Sequence, residues 1–323
     1  MKVSIVIPMF NASKTINACL ESLRRQTFSD FEVIIVDDAS SDGSCAVVEG
    51  IISSDGFWQD RLKLLQQSEN GGSGNARRRG MLSAKGDYII HVDADDTVST
   101  DYLEKLVLKA EETNADVVVC KLAYVYSDGA ATVREDHFGV GARDYLCQVM
   151  RGESYGSLCN KLIRRGLIEK YDIYPYEGIR MFDDFSVVYR VLFFAHEIAY
   201  EPSALYFYNK ESGNTQTMKP NSKNLAGVVA LNAEMKKFAE KEDVQGELGI
   251  CFLNHSAALT ASSIKHAGGD RSLLSRYGVA DLSFRELLLV LKSKQISTPS
   301  KIYVAAYKFH MQSLVNTLLR LKN

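Results

Sequence analysis

The chain has no run of about 18 uncharged apolar residues, the length a helix needs to cross a bilayer, so no membrane span is predicted. Met1-Lys2 leads into Val3 to Ile7, an apolar stretch too short for a signal core and closed at once by Pro8, so no secretion signal is expected. Only 5 of 323 residues are proline, and neither a repeat nor a low-complexity tract occurs. With 46% hydrophobic and 24% charged residues, a disordered or collagen-like chain is excluded. Charge of one sign is also missing: the formal net charge is -2. No Cys/His ligand ladder or RNA-binding aromatic motif offsets that balance, so nucleic acid is not an expected partner. The six cysteines (Cys19, Cys45, Cys120, Cys147, Cys159, Cys251) show no CxxC spacing. They read as small buried hydrophobes, reduced thiols in a cytoplasmic protein.

What is present is an alternation. A chain of this length exceeds the size at which one core keeps growing, which favours two domains. Its first hundred residues alternate β-branched runs with helical periodicity: Val3 to Ile7, then Ile16, Cys19, Leu20 and Leu23, then Phe31 to Val36, then Val47, Val48 and Ile51. Leu62 to Leu65 and Tyr88 to Val92 add strands, with a helix from about Asn75 to Ala84 between them. The expectation is an α/β fold, a mostly parallel sheet with helices on both faces, whose ligands sit beyond the carboxyl ends of the strands. Further along, a helix is expected from about Thr100 to Thr113, a strand over Val117 to Val125, a helix around Asn160 to Ile168, a helix from about Asp183 to Phe194 and a strand over Ala204 to Tyr208. The segment from Gly129 to Gly156 has no clear period. From about Asn221 onward the pattern is helical only, broken at Gly268-Gly269 and Thr298-Pro299, which places a domain transition near Pro220.

Three strand or helix ends deliver acids: Asp37-Asp38 after Val33 to Val36, Asp93-Ala94-Asp95-Asp96 after Tyr88 to Val92, and Asp183-Asp184 opening a helix. Two hard carboxylates two residues apart, Asp93 and Asp95, suit Mg²⁺ or Mn²⁺ clamped on a diphosphate. The plainer alternative is that Asp95, Asp96 or Asp101 caps the following helix, Asp96 being the first choice. Asp38 can accept a hydrogen bond from the ring N–H of a pyrimidine base, or simply form a turn in Asp-Asp-Ala-Ser-Ser-Asp-Gly. Phe10 can stack on the same base or belong to the core. Asn70-Gly71-Gly72-Ser73-Gly74 permits close backbone approach to a phosphate and feeds a helix carrying Arg77, Arg78 and Arg79, though it has neither P-loop nor dinucleotide spacing. Successive helical residues point about 100° apart, so one or two of these arginines at most can face a cleft. Asp184 can serve as general base for an acceptor hydroxyl, or be an ordinary acid in a first helical turn. His91 reads first as a core residue, with metal ligation as the alternative.

Together, Val3-Ser4-Ile5-Val6-Ile7-Pro8-Met9-Phe10-Asn11, Gln26-Thr27-Phe28, Val36-Asp37-Asp38-Ala39-Ser40-Ser41-Asp42-Gly43-Ser44, Asn70-Gly71-Gly72 and Asp93-Ala94-Asp95-Asp96 resemble the family-2 inverting glycosyltransferases of GT-A fold. The resemblance covers residues 1 to 115 strongly and continues through Asn160-Lys161-Leu162 and Asp183-Asp184 to about Tyr208. It implies a nucleotide-diphosphate donor, most often a UDP-sugar, with Pro8, Phe10 and Asp38 around the base. It also implies Asp93 at the ribose or metal, Asp95 on the Mn²⁺ or Mg²⁺ ion, and Asp184 as the base of the family's Glu-Asp pair, here Asp183-Asp184. Asn70 and Arg77 join the donor site through the glycine-rich segment. The Gln-x-x-Arg-Trp motif of processive members is absent, the only tryptophan being Trp58, so one transfer per acceptor visit is expected. The implied acceptor is a saccharide or a lipid-linked oligosaccharide in bacterial surface polysaccharide synthesis.

From Leu287 to Asn323 there is no acidic residue, against six basic ones: Lys292, Lys294, Lys301, Lys308, Arg320 and Lys322. A helix from about Lys301 would place Val304, Tyr307, Met311, Leu314 and Leu318 on one face. That face fits either an anionic membrane surface or packing against the catalytic domain or a second subunit of a homodimer. Two rival classes remain. A sugar nucleotidyltransferase needs a glycine-rich phosphate loop after the first strand, where Pro8-Met9-Phe10-Asn11 stands. A non-catalytic nucleotide-sugar-binding module would have had little use for Asp38, Asp93, Asp95 and Asp184 together.

Overall fold

The computed structural model describes residues 1–210, 222–267, 270–276, 283–292, 298–309 and 311. The chain forms two compact units.

The first unit comprises Met1–Ala142, Gly156–Gly178 and Asp183–Thr215. Its strands are β1 (Val3–Met9), β2 (Phe31–Asp37), β3 (Leu62–Gln66), β4 (Tyr88–His91), β5 (Thr97–Val98), β6 (Val117–Val125), β7 (Ala131–Val133), β8 (Lys161–Arg164) and β9 (Ile198–Asn209). Its helices are α1 (Ile16–Arg24), α2 (Ser44–Ser54), α3 (Gly56–Gln59), α4 (Ser73–Ser83), α5 (Tyr102–Thr113), α7 (Arg165–Tyr171) and α8 (Asp183–Phe194), while α6 (Ala142–Arg151) falls, but for Ala142, in the second unit. All strands join one sheet in the order β3-β2-β1-β4-β8-β6-β9-β5, with β7 on β6. Val3, Ile5, Val6, Ile7, Val33, Ile34, Ile35 and Val36 are fully buried, because helices cover both faces of these β-branched runs.

The sheet is mixed where a mostly parallel one was expected. β3, β2, β1 and β4 run parallel, and β8 then enters antiparallel to both β4 and β6. The reversal lies where a helix was expected over Asn160 to Ile168, a stretch that forms strand β8 followed by α7. Lys161, Leu162 and Ile163 form an apolar-flanked run too short for its period to separate strand from helix, and ladder pairing on both sides decides it. The unassigned segment contains β7 and α6. One glycine sets the spacing of the site's helix: a Cβ on Gly80 would collide with Val6 Cγ1, so α4 lies on β1 more closely than any side chain allows.

The second unit comprises Arg143–Tyr155, Ile179–Phe182 and Gln216–Asn323, so two segments that precede Pro220 group with the C-terminal helices. Those helices are α9 (Ser222–Lys241), α10 (Gly246–His266), α11 (Arg271–Arg276), α12 (Phe284–Lys292) and α13 (Thr298–Lys308). Leu225, Ala257, Ile264, Leu287, Val290 and Val304 share its buried core, together with Tyr307. Val304 and Tyr307 are therefore not a free apolar face, because packing on this cluster consumes them. Met311 of that expected face is exposed, and Leu314 and Leu318, like the break at Gly268-Gly269, lie outside the described residues. Cys147 of α6 and Cys251 of α10 are joined in a disulfide, which corrects the expectation of thiols throughout. Their 104-residue separation left no spacing signal to read. Among the described residues no helix is long and apolar enough to cross a membrane.

Candidate active site

The carboxyl ends of β1, β2 and β4 and the start of α8 carry the site. At the end of β2, the Asp38 N–H donates to Met9 O at 2.8 Å, which holds its side chain at the sheet edge. Asp38 Oδ1 accepts from Gly71 N and from Gln67 Nε2, each at 2.7 Å, and Oδ2 accepts from Gly72 N at 2.7 Å. Asn70 Nδ2 adds a bond to Asp38 O at 3.3 Å. Asp38 thus staples the glycine-rich loop to the strand end through charge-assisted bonds. Beside the two sequence readings of Asp38, base acceptor and turn former, this loop anchoring is a third role. Gly72 sits at φ 90°, a conformation that favours glycine, immediately before α4. Pro8 is half-buried in β1 opposite Val36, and Phe10 is 40% exposed just beyond it, so Phe10 is not a core residue.

The three arginines of α4 part company as helical geometry requires. Arg79 Nη1 donates to Gln66 O at 2.6 Å, and Arg78 lies over the Tyr174 ring. Arg77 is the one turned inward, with 7% of its side chain exposed. Its Nη2 meets Asp93 Oδ1 at 2.6 Å, while Nη1 donates to Asp183 Oδ2 and lies 3.0 Å from Asp184 Oδ1. One guanidinium therefore ties the acids after β4 to the acidic pair opening α8. Burial alone would lower its pKa, but the carboxylates of Asp184, Asp183 and Asp93 overcome that and hold it well above the ordinary arginine value.

Burial pushes the Asp93 carboxyl above its usual range, with Arg77 opposing and Asp95 and Asp183 reinforcing. Asp95 makes no hydrogen bond or ion pair with a described residue. Among the described residues no group of three or more His, Cys, Asp or Glu side chains is arranged around a metal position, and His91 does not extend the Asp93–Asp95 pair into one. His91 is buried in β4 with neither ring nitrogen hydrogen-bonded among the described residues. Burial, then Arg77, keeps it well below the usual histidine pKa.

The expected helix caps are corrected. Asp96 does not cap α5. It is buried, accepting from the Tyr206 hydroxyl at 2.6 Å and from Asn209 N at 2.8 Å, and burial followed by Asp93 and Asp95 raises it to about 8. Asp101 makes no side-chain cap bond either; it pairs with Lys105 at 2.8 Å. The first turn of α5 is met by Gln26, whose Oε1 accepts from Leu103 N at 3.0 Å while its Nε2 donates to Ser99 O at 2.7 Å. Tyr206 also accepts from Asp93 N at 3.1 Å, so strand β9 fixes the acidic turn from outside. Tyr206 lies 110 residues from Asp96, and no sequence signal marked it.

Asp184 keeps 27% of its side chain exposed. Burial raises it to about 7, against the pull of Arg77 and with Asp183 and Asp93 adding to the rise. Leu158 N approaches its Oδ2 at 3.5 Å. A partly exposed carboxyl that titrates near neutrality beside an arginine and two further acids, Asp183 and Asp93, can give up or take a proton around pH 7.

Comparison with known proteins agrees with this geometry. EpsH of Bacillus subtilis, named as a glycosyltransferase, is 30% identical over 300 residues, 88% of this chain and 85% of that protein. The poly(ribitol-phosphate) beta-N-acetylglucosaminyltransferase TarS of Staphylococcus aureus is 28% identical over 265 residues, 79% of this chain and 44% of TarS. A crystal structure of S. aureus TarS residues 1–349 with UDP-GlcNAc superposes with a TM-score of 0.70 at 20% identity, covering 98% of this chain and 90% of that one. The mannosyltransferase PcManGT of Pyrobaculum calidifontis, in complex with GDP-Man and Mn²⁺, gives 0.56 at 16% identity, covering 98% and 86%. These likenesses establish a GT-A-type α/β fold followed by a helical region. The sequence model of glycosyl transferase family 2 matches residues 4–172. With a carboxylate cluster at the sheet's carboxyl edge, a matching fold and a family signature over half its length, the chain belongs to glycosyl transferase family 2 and is a glycosyltransferase.

Proposed function

We propose that this glycosyltransferase moves a sugar, with inversion, from a UDP-sugar to a hydroxyl of a saccharide or lipid-linked acceptor, once per acceptor visit, in bacterial surface polysaccharide synthesis. The observation that carries the reading is the Arg77 hub, which links the titratable Asp184 to Asp93. In this reading Pro8, Phe10, Asp38 and Asn70 surround the nucleotide, residues 1–115 hold the donor and residues 116–220 the acceptor, with the helical region 221–323 following.

The donor set after β4 fits a divalent cation. Asp95 is a carboxylate with no partner among the described residues and Asp93 has a second oxygen beyond the one on Arg77, while Mg²⁺ and Mn²⁺ need only one or two carboxylates when phosphate and water complete the shell. Such an ion would offset charge on the departing diphosphate. Arg77 supplies a permanent cation beside it. Asp184 takes the acceptor proton as the hydroxyl oxygen bonds to the anomeric carbon. The bond from that carbon to the diphosphate breaks, and its electron pair leaves with the nucleotide. Attack from the opposite face inverts the anomeric centre.

The test is isothermal titration of UDP and of GDP with Mn²⁺ and then EDTA, repeated on Asp95→Ala. Metal-dependent UDP binding that the variant loses is expected. Binding to neither nucleotide would defeat the donor assignment. A nucleotide-binding module is separated by donor hydrolysis without acceptor, which an enzyme shows and a module does not. Membrane contact, expected on the helix from about Lys301, is carried in this reading by α12 instead, where among the described residues Phe284, Leu288 and Leu291 are exposed at helical spacing beside Arg285 and Lys292.

A further inference from the structure

Lys161 is the one fully buried lysine among the described residues, and the reaction as outlined makes no use of it. An ammonium taken wholly out of water costs several kcal/mol unless charge and hydrogen bonds replace the solvent, so its retention at the start of β8 calls for a physical reason.

Its contacts supply one. Nζ donates to Ser157 O and to Asn160 Oδ1, each at 2.8 Å. Asn160 in turn donates from Nδ2 to Cys120 O at 2.9 Å and accepts at its own carbonyl from Cys120 N at 3.0 Å, which bolts the turn to β6. Lys161 N closes the same turn onto Leu158 O at 3.0 Å. The turn therefore has little freedom, and the residue at its apex, Leu158, is the one whose N–H points at Asp184 Oδ2.

We propose that Lys161 is a positioning residue for the transfer reaction: it holds the Ser157–Asn160 turn so that the Leu158 N–H meets the Asp184 carboxylate in the orientation needed to receive the acceptor proton. This rests on Asp184 being the base. At 3.5 Å the contact is long, as catalytic hydrogen bonds often are before substrate binds. Electrostatics agree with the geometry. Burial lowers the Lys161 pKa to about 8, and Asp136, then Cys159, Cys120 and Asp184, oppose that loss. From the other elements around it Asp184 faces Arg77 of α4 and Asp93 after β4, with Asp183 on its own helix. None of these anchors the turn.

The experiment is a double-substitution cycle on the full chain, with kcat, donor KM and UDP affinity measured for Lys161→Met, Lys161→Gln, Asp184→Asn and each Lys161 variant combined with Asp184→Asn. Methionine fills the same volume without charge or donor. It should lower kcat about tenfold or more with donor KM and UDP affinity within about twofold, the mark of a lost transition-state interaction. Glutamine, still able to donate to Ser157 O, should recover part of that loss. In the Asp184→Asn background neither Lys161 variant should cost anything further. Unchanged kcat in both Lys161 variants, a fall in kcat matched by lost UDP affinity, or a full additional loss on top of Asp184→Asn overturns the proposal. If the methionine variant does not fold, the glutamine variant decides by the same criteria. Near-normal turnover of Asp184→Asn alone would instead overturn the base assignment, and is read separately from the Lys161 results.

Discussion

Replacing Arg77 with methionine tests the central claim about the site, that three acids are held by one cation. Asp183, Asp184 and Asp93 keep 10%, 27% and 27% of their side chains exposed around a guanidinium exposed by 7%. Removing one partner of such a buried pair usually costs about 3–5 kcal/mol. The partial exposure of two of the acids places the cost near the lower figure, about 3 kcal/mol. The remaining carboxyls have an escape, since each can take up a proton and so remove its charge. Without Arg77 the folded-state pKa values of Asp93 and Asp184 rise further above the ordinary carboxylate range, and a folded state that binds more protons than the unfolded one loses stability as pH rises. The deficit should thus be small near pH 5 and approach its full size above pH 8. For a unit of this size about 3 kcal/mol is a fall of roughly 6–12 °C in melting temperature. Urea unfolding of wild type and Arg77→Met at pH 5, 7 and 8.5 measures it. A deficit of the same size at all three values, or none at pH 8.5, refutes the argument that Arg77 acts by compensating buried negative charge.

Four other outcomes follow from named contacts. Because Asp184 must be ionised to accept a proton and burial raises it to about 7, kcat/KM for the wild type should fall about tenfold from pH 8 to pH 6, and a flat profile across that window contradicts its role. Asp38→Ala removes three side-chain hydrogen bonds, two of them to Gly71 and Gly72, and should cost about 2–4 kcal/mol in urea unfolding together with about a tenfold loss of UDP affinity. Gly80→Ala gains about 1 kcal/mol of helix propensity but forces Val6 aside. A net loss of about 1–2 kcal/mol by calorimetry is expected, since overpacking outweighs propensity. Serine at Phe284, Leu288 and Leu291 should reduce co-sedimentation with phosphatidylglycerol vesicles and leave donor hydrolysis unchanged, whereas equal sedimentation removes α12 from consideration.

Elements whose own residues decide their state were legible in the sequence. β6 runs Val117–Val125 and α8 runs Asp183–Phe194, at the bounds expected, because a nine-residue stretch opening on three valines and a twelve-residue apolar period each carry enough residues to declare their state. β8 was misread because four residues cannot declare a period, and its state is set by pairing to β4 and β6. The same division runs through the site. Arg77 was within reach, since buried Ala76, Gly80 and Met81 fix the phase of α4 and leave Arg77, but neither Arg78 nor Arg79, on the covered side. That Arg77 would bridge Asp93 to Asp183 was not, because the partners lie 16 and 106 residues away on elements brought together only by the sheet order. Asp96 shows the limit most clearly. Its sequence context, an acid shortly before an amphipathic helix, describes a cap, and the cap's work is done by Gln26 from 77 residues upstream. Once Gln26 satisfies that helix end, Asp96 is released to accept from Tyr206, and that bond aligns the backbone of Asp93. The acidic turn is therefore shaped by two residues outside its motif, and a chain that kept Asp93-Ala94-Asp95-Asp96 but lost Gln26 and Tyr206 would retain the motif without its geometry.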